Sequence, residues 1–309
     1  MSDIIDWLME GDAAIRWQTQ RDLLESPAVD WQSERLRVAS SGWGARLLAY
    51  QDSRGTWGGG IYSPKWTSTT YTLLQLRDMG LPGDHPAARR ASGLLLDEGL
   101  GEIGTRQFQD RLSHGDLCIV GMYLGLSVYF GVIDARTDAL VDHLIQHQMP
   151  DGGWNCRSLK QPGVHHSSFH TTFNVLEGLR EVLDAGLTLH SSAILAAQAQ
   201  ALEFMLQHSL FRSHRTGEII TEKFLYFSYP YRWYYDVLRG LDYFQRARAI
   251  RDQRLSEATE ILNAKQRKDG AWAVQNYHPG QAFFELEKTG GPSRWNTLRA
   301  LRVLSWWNG

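Results

Sequence analysis

Four residues in the middle of the chain carry side chains that bind metal ions. Asp116 and Cys118 stand two positions apart, and Cys156 and His170 follow them. Carboxylate, thiolate and imidazole groups are the usual ligands of zinc. The sequence therefore predicts a zinc site formed by Asp116, Cys118, Cys156 and His170. With Cys156 as a ligand the site is closed and structural; without it, three ligands leave the open position of a catalytic site. The alternative is that these are ordinary buried cysteines and a buried histidine.

Two weaker metal-binding candidates, His165 and His166, precede His170 in a predicted loop. Their alternative interpretation is that they are solvated loop histidines.

Three arginines each stand directly before a tryptophan, at predicted helix N-termini: Arg16, Arg232 and Arg294. Arginines beside helix N-termini bind anions, so these residues are predicted to hold an anionic group. The alternative is that the guanidinium groups stack on aromatic rings or bond loop carbonyls. Glu285 and Glu287 precede Arg294, and these carboxylates are predicted either to neutralise the arginines or to act as catalytic acids.

A seven-residue motif, Gln-x-x-x-Gly-x-Trp, occurs three times, at residues 51–57, 148–154 and 266–272. The copies are 97 and 118 residues apart, each about twice a unit of about 50 to 60 residues. Glycine takes the left-handed conformation that follows a helix, and the glutamine side chain satisfies nearby backbone groups. The sequence therefore predicts a helical repeat array with a turn of this kind after a helix.

Apolar helical segments alternate with amphipathic ones along the chain. The apolar segments begin near residues 13, 66, 116, 168, 231 and 293. The amphipathic segments cover residues 29–50, 84–98, 135–148, 191–209 and 253–266. Buried inner helices and amphipathic outer helices predict an all-α fold, an (α/α)6 toroid or barrel of helical hairpins that forms a single domain over residues 1–309. Parallel inner helices would bring Asp116, as an N-cap, and Cys118 to the same end as His170.

Composition limits the classes of partner. The formal net charge is -2 with interspersed signs, so neither nucleic acid nor an anionic membrane surface is expected to bind. The apolar, uncharged run at residues 117–133 is shorter than a membrane span requires. Two cysteines make no disulfide framework, and the acidic N-terminus is unlike a signal peptide. A cytoplasmic protein is predicted. The 12 Trp, 12 Tyr and 11 Phe suit an aromatic cavity for an apolar chain or a carbocation.

These motifs resemble those of the terpenoid cyclase and protein prenyltransferase superfamily. The three Gln-x-x-x-Gly-x-Trp turns resemble the repeat motif of squalene–hopene cyclases, and the resemblance spans nearly the whole chain. Asp116-Leu117-Cys118 resembles the Asp-x-Cys zinc motif of prenyltransferase β subunits, and His170 resembles their zinc histidine. The resemblance implies an α/α toroid in which zinc activates an acceptor thiol for alkylation by an isoprenoid diphosphate. Cys156 has no counterpart in this motif, and the Asp-x-Asp-Asp tetrad of the cyclase branch is absent from the sequence.

Three functions are therefore considered. The first is a zinc-dependent, prenyltransferase-like enzyme that acts on an apolar, isoprenoid-like small molecule with an anionic group. The second is a terpene cyclase or lyase that uses Glu285 or Glu287 as its acid. The third is a non-catalytic toroid with structural zinc that binds a lipid or a partner peptide. A partner subunit is possible for the first function, as the resemblance implies.

Overall fold

The protein is predominantly helical in a computed structural model that describes residues 2–100 and 107–309, which confirms the predicted all-α class. The α-helices, in chain order, are α1 (Ser2–Met9), α2 (Ala13–Asp22), α3 (Ala28–Leu36), α4 (Gly42–Leu48), α5 (Thr69–Met79), α6 (Pro86–Glu98), α7 (Phe108–Ser113), α8 (Leu117–Tyr129), α9 (Ala135–Gln146), α10 (Phe169–Asp184), α11 (Ser191–Gln207), α12 (Val237–Arg246), α13 (Ser256–Ala264) and α14 (Arg294–Asn308). Short 3-10 helices occupy Arg37–Ala39, Glu222–Leu225 and Gln253–Leu255. Strands β1 (Trp272–Ala273) and β2 (Pro292–Ser293) form a small antiparallel pair.

The chain divides into two compact units. The first comprises residues 1–50, 78–82 and 206–309, and the second comprises residues 51–77 and 83–205. The first unit contains both termini and the strand pair, and the second contains α6 to α10. Each predicted zinc ligand lies in the second unit, whereas Arg16, Arg232, Arg294, Glu285 and Glu287 all lie in the first. The two sets of residues are therefore described separately.

The three repeat motifs form the same turn. Their glycines all have the left-handed backbone conformation, with φ of 90° at Gly55, 95° at Gly152 and 81° at Gly270. In each copy the glutamine side-chain amide donates to the carbonyl of that glycine, at 3.0, 2.6 and 3.0 Å. The predicted roles of glycine and glutamine are thus confirmed, because only a residue without a Cβ takes this φ at low cost.

The tryptophan of each motif connects the turn to the next apolar helix. Trp57, Trp154 and Trp272 are fully buried. Their backbone N–H groups donate to threonine hydroxyls that lie at or near the start of that helix, namely Thr69, Thr172 and Thr297. One local motif is therefore used in both units, and each copy positions a helix start.

The predicted apolar helices are present, with one displaced start. Helices α2, α5, α8, α10 and α14 begin within a few residues of the predicted positions. The segment predicted to start near residue 231 becomes helical only at Val237, because the Asp236 side chain accepts from Arg239 N at 2.8 Å and caps the helix there. Arg232 thus lies in the preceding loop, with φ of 58°.

Helices α8 and α10 approach each other closely through glycines. A Cβ on Gly121 of α8 would lie 2.5 Å from the Asn174 carbonyl oxygen of α10. A Cβ on Gly178 of α10 would meet the carbonyl oxygen of Gly121. These two helices are almost wholly buried and carry Cys118 and His170 near their N-terminal ends. The glycine contact therefore fixes the spacing of the elements that carry the predicted metal ligands.

No helix within the described ranges combines the length and the apolar character that crossing a membrane would require.

Candidate functional site

Asp116 occupies the N-cap position of α8, as predicted, but its side chain does not cap the helix. Instead, its Oδ1 accepts a hydrogen bond from Lys160 Nζ at 2.7 Å. This ion pair raises the pKa of Lys160, which lies on an exposed part of the loop. Since the N-cap carboxylate leaves the first amide groups of α8 without their usual acceptor, another group can occupy the helix end.

That group is the sulfur of Cys156. The backbone N–H of Cys118, in the first turn of α8, donates to Cys156 Sγ at 3.3 Å. The Thr171 hydroxyl of α10 lies 3.4 Å from the same sulfur, and Cys156 N donates to Thr171 Oγ1 at 3.4 Å. The fold thus brings together the chain's two cysteines, which are 38 residues apart in sequence, and both are free and half-buried.

The pKa values of the two thiols are shifted in opposite directions. A hydrogen bond between the Cys118 and Cys156 side chains raises the pKa of Cys118 and lowers the pKa of Cys156 to about 7. Burial raises the pKa of Cys118 further, whereas the Thr171 hydroxyl and the Cys118 amide favour the thiolate of Cys156. A thiolate at a helix N-terminus is also stabilised by the helix dipole. The contacts at Cys156 Sγ therefore favour a thiolate on Cys156 over one on Cys118.

His170 is the second residue of α10 and is half-buried. Its carbonyl oxygen accepts from the Asn174 side chain at 2.6 Å. Ser168 caps this helix by accepting from Thr171 N, so Ser168 and Asp116 occupy equivalent positions, as the register predicted. His170 thereby precedes the threonine that contacts Cys156. His165 and His166 are exposed in the loop before α10.

The donor types at this centre suit zinc, which the resemblance implies. Cys118 and Cys156 supply two sulfur donors, and the negative charge of Asp116 acts on both thiols. Across residues 2–100 and 107–309, no three His, Cys, Asp or Glu side chains form a group that could hold a metal ion. Asp116 is engaged by Lys160 in this arrangement. The structure thus brings Cys118 and Cys156 together beside Asp116, while the Asp116 carboxylate is paired with Lys160.

Arg16 and Arg294 lie in the first unit, and both approach Gly11. Arg16 Nη1 donates to the Gly11 carbonyl at 2.5 Å, and its Nε donates to Glu34 Oε1 at 2.8 Å. Arg294 lies over the Trp7 ring at 4.4 Å and donates to the Trp7 carbonyl at 3.0 Å. These contacts are the stacking and carbonyl-bonding arrangement considered as the alternative to anion binding.

Arg232 belongs to a different, more buried cluster. Together with burial, Arg232 and Arg239 lower the pKa of His278 to about 4. Arg239 and Arg299 lie 4.3 and 5.1 Å from the ring centroid of Tyr231. Arg299 is 2 % exposed, and its Nη2 has no hydrogen-bond partner. The cluster thus concentrates positive charge and one free buried donor in an aromatic environment, which favours an anion.

Acidic groups border this arginine cluster. Asp236 accepts from the backbone and hydroxyl of Ser228, and Asp242 lies 3.4 Å from Arg299 Nε. Two further buried donors close by, Tyr229 Oη and Trp295 Nε1, have no hydrogen-bond partner, and their rings stack at 4.4 Å. The region is therefore richer in donors than in acceptors.

The two glutamates differ in environment. Glu285 is exposed. Burial raises the pKa of Glu287, whose carboxylate accepts from Ser293 Oγ at 2.5 Å and from Arg294 N at 2.6 Å. Glu287 thereby satisfies donors at the N-terminus of α14.

No protein-family model matches the chain, and no curated protein matches it.

Sequence reasoning missed Lys160, Thr171, Arg239 and Arg299. Thr171 stands next to His170, so the predicted helix start could have indicated it. Arg299 follows Trp295 by four residues, on the same face of α14. Lys160 lies in an irregular loop, and no periodic signal marks it.

Proposed function

We propose that the chain is a zinc-dependent, prenyltransferase-like enzyme whose reactive centre is the thiol pair Cys118 and Cys156 at the N-terminus of α8. The observation that carries this proposal is the contact of the two cysteines beside Asp116. A structural thiol has no need of a helix N-terminus, a hydroxyl and a second thiol around it. The cluster therefore supports a chemical role.

Asp116, Cys118, Cys156 and His170 are the proposed ligands, and displacement of Asp116 would open the position that a catalytic zinc needs. Bound there, zinc would supply Lewis acidity towards an acceptor thiol or a water molecule. Lys160 holds Asp116 in the free protein and would be released if the carboxylate bound the metal. The Cys118 amide and the Thr171 hydroxyl favour the thiolate form of Cys156, which is the form that would bind zinc.

The substrate's anionic group is proposed to bind in the first unit, at Arg232, Arg239 and Arg299. This choice keeps Arg232 from the set predicted from the sequence, and it adds the cluster in which Arg299 Nη2 has no hydrogen-bond partner although Arg299 also contacts Asp242. Arg16 and Arg294 contact Glu34 and Trp7. The aromatic rings around the cluster suit the apolar, isoprenoid-like part of such a substrate.

The repeat geometry supports the finer architectural proposal, an (α/α)6 toroid in one domain. Turns of the same geometry recur before α5, α10 and α14. A cytoplasmic location and a partner subunit or peptide stay predictions from the sequence.

One observation favours the second candidate, a cyclase or lyase that uses a carboxylic acid. Burial raises the pKa of Glu287, as an acid catalyst requires. Its hydrogen bonds to Ser293 and Arg294 N give it a helix-capping role as well, so the thiol centre is the better-supported site.

The test is metal content after purification under reducing conditions with added zinc. We expect about one zinc per chain in the unaltered protein. Cys118→Ser and Cys156→Ser should each lose most of it, and His170→Ala should weaken binding, because each removes a ligand. His214→Ala is the control, since this exposed histidine lies in the other unit.

Cobalt substitution adds a readout of the ligand type. A thiolate–cobalt charge-transfer band should appear in the unaltered protein and weaken in either serine variant. An unaltered protein that binds neither metal would contradict the proposal. Metal retained fully by both serine variants would place the site elsewhere. A band that is unaffected by added thiol ligands would favour a closed, structural site over a catalytic one.

A further inference from the structure

Cys118 and Cys156 are the only cysteines of the chain, both are free, and the sulfur of Cys156 contacts the backbone of Cys118. We propose that they form a reversible intramolecular disulfide and so constitute a two-electron redox site. This inference does not require zinc, because it concerns the metal-free thiols.

The geometry places the Cys156 sulfur beside the residue with which it would form the bond. Cys156 Sγ lies 3.3 Å from the backbone nitrogen of Cys118, so it is already next to that residue's main chain. A disulfide requires such proximity of both the side chains and the backbones that carry them. Cys156 lies in a turn outside regular helix, whereas Cys118 is held in the first turn of α8. The turn can therefore adjust to the dihedral angle of the bond without unwinding a helix.

An oxidant can reach the pair, because neither cysteine is fully buried. The surroundings also distinguish the two sulfurs. Cys156 Sγ accepts the Cys118 N–H and lies 3.4 Å from the Thr171 hydroxyl, and it is carried by the turn and not by a helix. We assign Cys156 as the attacking sulfur and Cys118 as the resolving sulfur.

The reaction is thiol–disulfide exchange with a small-molecule disulfide such as oxidised glutathione. Cys156 Sγ attacks one sulfur of the reagent, its S–S bond breaks, and one glutathione thiolate leaves. Cys118 then loses its proton to solvent, and its sulfur attacks Cys156 Sγ and displaces the second glutathione thiolate. Two electrons pass from the protein thiols to the reagent, which becomes two molecules of glutathione.

The bond would connect the start of α8 to the turn before α10. It would enclose all of α8 after Leu117 and the whole of α9 in a covalent loop. If the proposed zinc centre exists, the disulfide and the metal exclude each other, because both use the same two sulfurs. Oxidation would then release the metal.

The experiment uses metal-free protein, prepared with a chelator and incubated in graded mixtures of oxidised and reduced glutathione. We expect both thiols to disappear together, with the loss of two hydrogens in the intact mass and no attached glutathione. Dithiothreitol should restore both thiols. Peptide mapping without reduction should recover a linked pair that contains Cys118 and Cys156.

Two variants test the order of events and serve as matched controls. Cys118→Ser should trap one glutathione on Cys156, because no resolving thiol remains. Cys156→Ser should react at least tenfold more slowly, because Cys118 lacks the stabilising contacts of its partner. Circular dichroism would confirm that both variants are folded.

Two results would overturn the inference: glutathione attached to the unaltered protein while the other thiol stays free, or a disulfide that joins two chains. Because the experiment contains no metal, its failure would leave the zinc measurements untouched, and the converse also holds.

Discussion

The chemistry of Cys156 is set by groups that are distant from it in the sequence. The amide of Cys118 lies 38 positions before it, and the hydroxyl of Thr171 lies 15 positions after it. The hydrogen bond with the Cys118 side chain, together with these contacts, lowers the pKa of the Cys156 thiol to about 7, and the same hydrogen bond raises the pKa of Cys118. A single cysteine among apolar neighbours would instead have a raised pKa. The position of the side chain in the fold, and not its residue type, therefore makes it reactive.

A pH effect is expected from His278, which stacks on Tyr234 at 3.9 Å. Burial, followed by the charges of Arg232 and Arg239, lowers the pKa of this histidine from 6.5 to about 4. Between these two pKa values, His278 is protonated in the unfolded chain and neutral in the folded chain. Stability is therefore complete above the unfolded pKa and falls as the pH decreases from about 6.5 towards about 4.

The measurement is urea unfolding at about pH 7.5 and about pH 5. His278→Asn should reduce the loss of stability between these pH values by ~1–2 kcal/mol, less than the full linkage energy because solvent screens part of the ring. His214→Asn, at an exposed position, should leave the loss unchanged. An identical pH dependence in the His278 variant and the unaltered protein would contradict the expected role of burial and the arginines.

At the scale of elements, the contact between α8 and α10 determines where the cysteine centre forms. Gly121 and Gly178 allow the two backbones to touch, and Cys118 stands one helical turn before Gly121. Gly125 continues the same face, where a Cβ would lie 3.2 Å from Gly178 Cα. The position of Cys118 relative to Thr171 therefore depends on glycines, which have no reactive side chain.

Gly121→Ala should destabilise the protein by ~1–3 kcal/mol, because the added methyl group has no space against the Asn174 carbonyl. The matched control is Gly93→Ala in α6, where a Cβ would meet nothing within 4 Å. That change should stabilise the protein by up to ~1 kcal/mol through helix propensity. Chemical denaturation gives both values. Equal effects of the two substitutions would mean that the glycine contact is not tight.

At the scale of the whole molecule, anion binding is expected to raise the melting temperature, since a ligand of the folded state stabilises it. Inorganic phosphate should increase Tm by about 2–4 °C, measured against chloride at equal ionic strength. Arg232→Ala should abolish the increase, whereas Arg294→Ala should retain it, because Arg294 is engaged by Trp7.

Circular dichroism must first establish that both arginine variants fold. Loss of the phosphate effect in Arg294→Ala alone would favour the set predicted from the sequence over the Arg232 cluster. A phosphate effect that survives both substitutions would place anion binding at neither arginine.

The sequence by itself determined the helical class, the repeat turns and most of the helix starts. Gln51, Gly55 and Trp57 sit in the same geometry as the other two copies of their motif. Such features depend on hydrogen bonds and backbone angles within a few residues, so a local sequence pattern is enough to predict them. The displaced start of α12 is also local in origin, because the Asp236 cap outweighed the apolar pattern before it.

Only the tertiary structure decided which reactive side chains meet. It placed the Cys156 sulfur against the first turn of α8 and paired Asp116 with Lys160. It also brought Arg232 and Arg239 close to His278. It also paired Arg16 with Glu34 and placed Arg294 over the ring of Trp7. These partners are far apart in sequence, and their pairing follows from how the helices pack and from the loops that carry the charges. The spacing of residues along the chain does not predict these pairs, because the partners of a side chain are determined by distance in space.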